Sequence, residues 1–175
     1  MITTNDGKIT EKLRLMRSHG EKEKYKSVML GHNYHMPEIE AAIGSAQLRK
    51  LPKFVAKRRE NARILSRQLG KTKSLKLPEE PEGYKHSWYL YTVRMKNANR
   101  ERRDRVVETL RQNGIGALVC YVNPIHLMPF YGKFGKYKLP VTEKASEQVL
   151  SLPVHPGVNR KQIGFIAEIF LRSLS

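Results

Sequence analysis

Apolar positions along the chain fall into a few ordered runs, and the longest lies between Ile39 and Leu69. Ile39, Ala42, Ile43 and Ala46 recur at helical spacing, and the pattern resumes as Leu51, Phe54, Val55, Ala62, Leu65 and Leu69. Pro37 suits a first helical turn, Glu38 and Glu40 sit where the helix dipole favours acids, and Gly70 supplies a stop. Pro52 interrupts the hydrogen-bond ladder, so the spacing predicts one long bent helix over 37–69. Its first half carries a shallow stripe of alanines with Gly44, a surface shaped for close packing on another element.

Before this helix, MITTN reads as a short strand closed by an Asn-Asp-Gly turn, and Ile9, Leu13 and Met16 predict a helix over 8–17. Residues 21–29 are charged and aperiodic, as in an exposed loop. After it, the two prolines and one glycine of 71–85 predict a linker. The alternation in HSWYLYTVRM predicts a strand over 86–95, and Val106, Val107 and Leu110 predict a helix over 100–113. A strand over 117–121, an ordered aromatic loop over 124–140, a short helix capped by Thr142, a strand over 149–152 and a helix opened by an Asn159–Gln162 capping box complete the chain. Helices set on one face of a small sheet make the expected class α+β.

The chain has 175 residues, enough for one ordinary domain or two small ones, and no apolar run approaches the roughly 20 residues of a membrane helix. The amino terminus lacks the basic start and apolar middle of a secretion signal, which predicts a cytoplasmic protein. A single cysteine, Cys120, excludes an internal disulfide; its place in ALVCYV predicts a buried structural thiol. The net charge of +17 concentrates between Arg49 and Lys76, where eleven basic residues face only Glu60. A basic module acting on nucleic acid or a protein partner is therefore an alternative function, although no helix-turn-helix, zinc-finger or RNA-recognition signature accompanies the charge.

Candidate chemistry is sparse. The Gly31-His32-Asn33 turn lies just before a helix start, where outward backbone N–H groups and the Asn33 side chain suit an anion such as phosphate. His32 and His35 form a His-x-x-His pair without the third and fourth ligands a metal needs. His126 lies in an aromatic loop and is a candidate substrate contact, whereas His86 and His155 read as structural. No Ser/His/Asp spacing, P-loop or dinucleotide glycine pattern occurs.

Several phrases in order carry a resemblance: RSHG at 17–20, GHNYHMPEIEAAIGSAQL at 31–48, HSWYLYTVR at 86–94, YVNPIHLMPFY at 121–131 and LSLPVHPGVN at 150–159. Together they resemble the C-terminal half of the DegT/DnrJ/StrS family of pyridoxal-phosphate-dependent sugar aminotransferases, over nearly the whole chain. The resemblance implies an aspartate-aminotransferase-like fold, a dimer, glutamate as the common amino donor and nucleotide-linked keto sugars as substrates. It implies that 1–35 are a remnant of the large cofactor domain, 36–71 an interface helix and 72–175 the small α+β domain.

In this family the Schiff-base lysine precedes a glycine-rich turn and a strand similar to MITTND, so Met1 falls after its place. The resemblance thus implies a truncated homologue with no catalytic residue of its own, inactive alone and not stably binding pyridoxal phosphate. Asn33 matches the asparagine that reaches the cofactor phosphate of a partner subunit; His35 stands where the family has arginine, a weaker anion partner. His126 matches a loop histidine near the sugar-nucleotide site of some members.

Overall fold

A computed structural model describes residues 2–174, which form two compact units divided between Lys50 and Leu51. In the first, helix α1 spans Gly7–Arg17, and the Asp6 carboxylate accepts the N–H groups of Lys8 and Ile9 at 2.8 and 3.2 Å. The strand expected over 1–5 is not formed at Ile2–Thr4, which pair with no strand among the described residues, while Met1 lies outside them. The loop expected over 21–29 contains a hairpin instead: β1 (Glu21–Glu23) pairs antiparallel with β2 (Lys26–Ser27). Tyr25 takes the left-handed φ of 63° that turns the chain, and Lys26 meets Glu23 at 2.6 Å. Backbone pairing and polar side-chain contacts make this hairpin, so it leaves no apolar alternation to read.

Helix α2 runs Glu38–Leu69 without a break through Pro52, as one long helix. In its first half, Ile39 and Ile43 are 76% and 58% exposed, and no described element covers the small-residue stripe. Its last turns belong to the second unit and bury Asn61, Ala62, Leu65 and Leu69.

The second unit is built on an antiparallel three-stranded sheet in the order β3 (Leu75–Lys76), β4 (Tyr91–Met95), β5 (Val149–Leu152). Tyr91 pairs with Leu152 and Val93 with Leu150, so one face of β4 presents Tyr91, Val93 and Met95 to the core. β4 is shorter than the expected strand because Trp88 adopts φ 52°, which takes 86–90 out of the ladder. β3 lies inside the expected linker; two residues are too short for a pattern.

Helix α3 (Arg100–Gln112) is capped by Asn99, and α5 (Arg160–Ser173) by the Asn159–Gln162 box in both directions. Val106 and Leu110 of α3 and Ile163 and Phe170 of α5 close the core. Helix α4 (Pro140–Gln148) has no side-chain cap; Pro140, in its first turn, starts it rather than Thr142. The strand expected over 117–121 reduces to one bridge, Leu118 to Ser151. The chain leaves the sheet after it, so Cys120 is exposed, not buried, with its sulfur 3.9 Å from Ser151 Oγ. The aromatic loop is ordered as two 3-10 turns, Ile125–Leu127 and Pro129–Phe134.

A bidentate pair fastens the strap before β4 to α2. Arg59 Nη1 and Nη2 donate to Glu80 at 2.5 and 2.7 Å, Arg59 Nη1 also to the His86 carbonyl at 2.7 Å, and His86 N–H donates to Glu80 at 2.6 Å. The Arg59 guanidinium, then the His86 N–H, hold the Glu80 carboxyl down at about 2 from its ordinary 4.5. A depressed carboxylate stabilises the fold above its unfolded value, and that stability is lost as pH falls through the folded one. Thermal melts are therefore expected to lose stability between pH about 4.5 and about 2, with a shallower loss in Glu80→Gln; an unchanged slope would contradict the assignment.

Candidate functional site

The Gly-His-Asn turn is locked onto the end of α1 by its backbone. His32 N–H donates to Met16 O at 2.8 Å, Tyr34 N–H to Arg17 O at 2.9 Å, and His19 N–H to His32 O at 2.9 Å. Glycine is required where the chains cross: a Cβ on Gly31 would lie 1.9 Å from Gly20 N, and one on Gly20 1.8 Å from Met29 O. The expected row of outward N–H groups is thus absent at His32 and Tyr34, because α1 carbonyls take both. Asn33, which bridges Ser18 by its backbone, keeps an exposed side-chain amide without a hydrogen-bond partner among the described residues. His32 stacks on Tyr34 at 4.8 Å, while His35 Nε2 lies 2.8 Å from Ser18 Oγ, so the pair serves separate contacts.

The second unit carries a hollow of 820 Å3 walled by Tyr121, Tyr131, Phe134 and Tyr137 from the aromatic loop and by Ala145 and Val149. His126 enters this wall with a side chain only 9% exposed, and its Nε2 lies 3.0 Å from Glu143 Oε1. That histidine, then the Leu139 N–H at 2.8 Å, hold the Glu143 carboxyl below its ordinary value. His126 is therefore fixed in orientation by α4. The aromatic enclosure was invisible in the sequence, since only folding brings Tyr121, Tyr137 and Val149 together; the density of aromatics in 121–137 is its one signal. Asn33 and His126 lie in different units. Of the basic run, Lys57 and Arg59 are engaged with Glu60 and Glu80, and Arg58 with the Tyr89 carbonyl.

The model of the DegT/DnrJ/EryC1/StrS aminotransferase family matches residues 1–171. The chain belongs to this family. It is 35% identical over 173 residues to the pleiotropic regulatory protein of Geobacillus stearothermophilus, covering 96% of this chain and 45% of that one. It is 33% identical over 174 residues to UDP-N-acetyl-3-dehydro-alpha-D-glucosamine 3-aminotransferase of Acidithiobacillus ferrooxidans, covering 99% and 46%. Among solved structures, DesV of S. venezuelae, in complex with a ketimine intermediate, superposes with a TM-score of 0.88 at 30% identity over 99% of this chain and 46% of that one. The aminotransferase TlmJ of Streptoalloteichus hindustanus gives 0.84 at 30%, over 97% and 46%. This DegT-family chain spans about half the length of the curated relatives it matches. Its α+β fold is thus an aminotransferase fold in part, and among the described residues no helix is long and apolar enough to cross a membrane.

Proposed function

We propose that this chain constitutes the C-terminal half of a pyridoxal-phosphate-dependent nucleotide-sugar aminotransferase and is catalytically incomplete by itself. The observation that supports this is the family match across 171 of its residues against a span of about 45% of the relatives. On this reading 1–35 are a remnant of the large domain, 36–71 the interface helix and 72–175 the small domain, in a cytoplasmic enzyme.

The described residues do not fit the whole cofactor. The turn commits the His32 and Tyr34 N–H groups to α1 and keeps the Asn33 side-chain amide and the Gly31 and Asn33 N–H groups without partners among the described residues, but no lysine lines the aromatic hollow. Asn33 is assigned to the cofactor phosphate of a neighbouring subunit, with His35, held on Ser18, as a weaker neighbour. His126, clamped by Glu143, is assigned to the sugar-nucleotide side. When bound in the complete enzyme, the cofactor supplies the electron sink; these residues only bind and orient. The experiment is reductive trapping of the cofactor, in which no lysine of this chain is expected to be labelled specifically.

Self-association follows from the same reading. An uncovered stripe carrying Ile39 and Ile43 rarely stays open to water, and a second copy meeting it through the 36–69 helix would cover it. Sedimentation is expected to show dimers, and Ile43→Asp to weaken them roughly 100-fold, because an unpaired charge would be desolvated in the contact. A monodisperse wild-type monomer at high concentration would contradict this.

A further inference from the structure

A second hollow, of 540 Å3, is lined in part by Ser87 and Tyr89 of the strap and has a different character. Leu51, Phe54, Val55 and Pro156 supply apolar wall, and Arg58, Ser87, Tyr89 and His155 bring polar groups; no carboxylate lines it. Every charged or strongly polar group at this wall is a donor or carries one.

The donors are held in place. Arg58 Nη1 donates to the carbonyls of Tyr89 at 3.1 Å and Trp88 at 3.5 Å, and its guanidinium lies 5.7 Å from the centre of the Tyr89 ring. The left-handed Trp88, φ 52°, belongs to the same strap and sets the course of its carbonyls. Arg58 Nη2 and Nε have no partner among the described residues. His155 Nδ1 accepts the Gly157 N–H at 2.8 Å, so the neutral ring carries its proton on Nε2, which also has no partner there. Glycine at 157 is what allows this: a Cβ would lie 2.6 Å from His155 Cε1. The Ser87 hydroxyl is likewise without a partner among the described residues.

We propose that this hollow is a binding site for a small organic carboxylate with an apolar body. Arg58 and the His155 Nε2–H hold the carboxylate, Ser87 adds a hydroxyl donor, and Leu51, Phe54 and Pro156 bury the body. A guanidinium with free N–H groups is matched to a planar two-oxygen anion, and the apolar wall selects against an inorganic one. The inference does not rest on the aminotransferase reading: Leu51, Phe54, Val55 and Arg58 lie on the helix assigned there to self-association, but no residue of this hollow is assigned to the cofactor or the sugar nucleotide.

The test is an amide chemical-shift titration of the 175-residue chain with benzoate, phenyl phosphate and benzyl alcohol in turn. Saturable benzoate shifts confined to Ser87, Tyr89 and Gly157 are expected, weakened roughly tenfold by Arg58→Met, since one charge-assisted contact is worth about that factor. His155→Asn, at an exposed ring away from the core, is expected to weaken binding several-fold and keeps the test decisive if Arg58→Met fails to fold. Absence of saturable benzoate shifts overturns the site. Equal binding of benzyl alcohol overturns its anionic character, and tighter binding of phenyl phosphate overturns the assignment to carboxylates.

Discussion

Replacing Arg103 with alanine is expected to cost the second unit about 3–5 kcal/mol, a large part of the stability of an ordinary domain. Arg103 is the one arginine with no exposed surface among the described residues. Its Nε pairs with Asp104 at 2.6 Å, and its Nη1 donates to the carbonyls of Ser146 at 2.8 Å and Val149 at 3.3 Å. Those carbonyls close the end of α4, so the guanidinium acts as the helix's C-terminal cap from a neighbouring helix. Alanine would leave both acceptors buried without a donor and open a cavity as well. Methionine keeps most of the volume and is expected to lose about half as much, so the difference isolates the hydrogen bonds. Nη2 is buried without a partner, which sets part of the burial cost against the bonds made. Urea denaturation measures both variants, and a loss below about 1 kcal/mol for alanine would refute the capping role. The effect should reach the aromatic hollow, because α4 carries the Glu143 that clamps His126.

What the sequence revealed follows physical rules that act locally. The 100–113 helix, the final capping box and the 149–152 strand were legible because the helical spacing of Val106, Val107 and Leu110, the Asn159–Gln162 pair and the short run Val149 to Leu152 act through near neighbours. The β1–β2 hairpin was not, since it is made by backbone pairing around a left-handed Tyr25 among charged residues. Strand 117–121 failed for the opposite reason: its residues are apolar, but after Leu118 no partner strand remains, and Cys120 is left at the surface.

The candidate site divides the same way. Asn33 and His35 were legible as a turn before a helix, but the capture of the His32 and Tyr34 N–H groups by α1 carbonyls depends on Gly20 and Gly31 meeting backbone to backbone. His126 was legible as a polar group in an aromatic loop; its partner Glu143, seventeen residues on, was not. The hollow around Arg58 escaped notice because it joins α2 to residues 87–89 and 155–157. There the sequence shows only an ordinary basic helix and a histidine between prolines.

The second large effect concerns the covalent chemistry. In this class of enzyme a lysine amine attacks the cofactor aldehyde, and it works only where its ammonium is desolvated or otherwise deprotonated. Residues 1–50 contain no buried lysine, and none lines the aromatic hollow or the hollow at Arg58. The lysines of 1–50 all lie at the surface, and the contacts seen there, Lys26 with Glu23 and Lys24 over the Tyr25 ring, are surface contacts that enclose neither amine. The most direct measurement is borohydride reduction of the purified chain with pyridoxal phosphate, followed by peptide mapping. The expected result is sparse labelling scattered over exposed lysines, with no amino-group transfer from glutamate to a nucleotide-linked keto sugar. Stoichiometric labelling of one lysine, accompanied by transfer, would contradict the proposal that this half of the enzyme is incomplete.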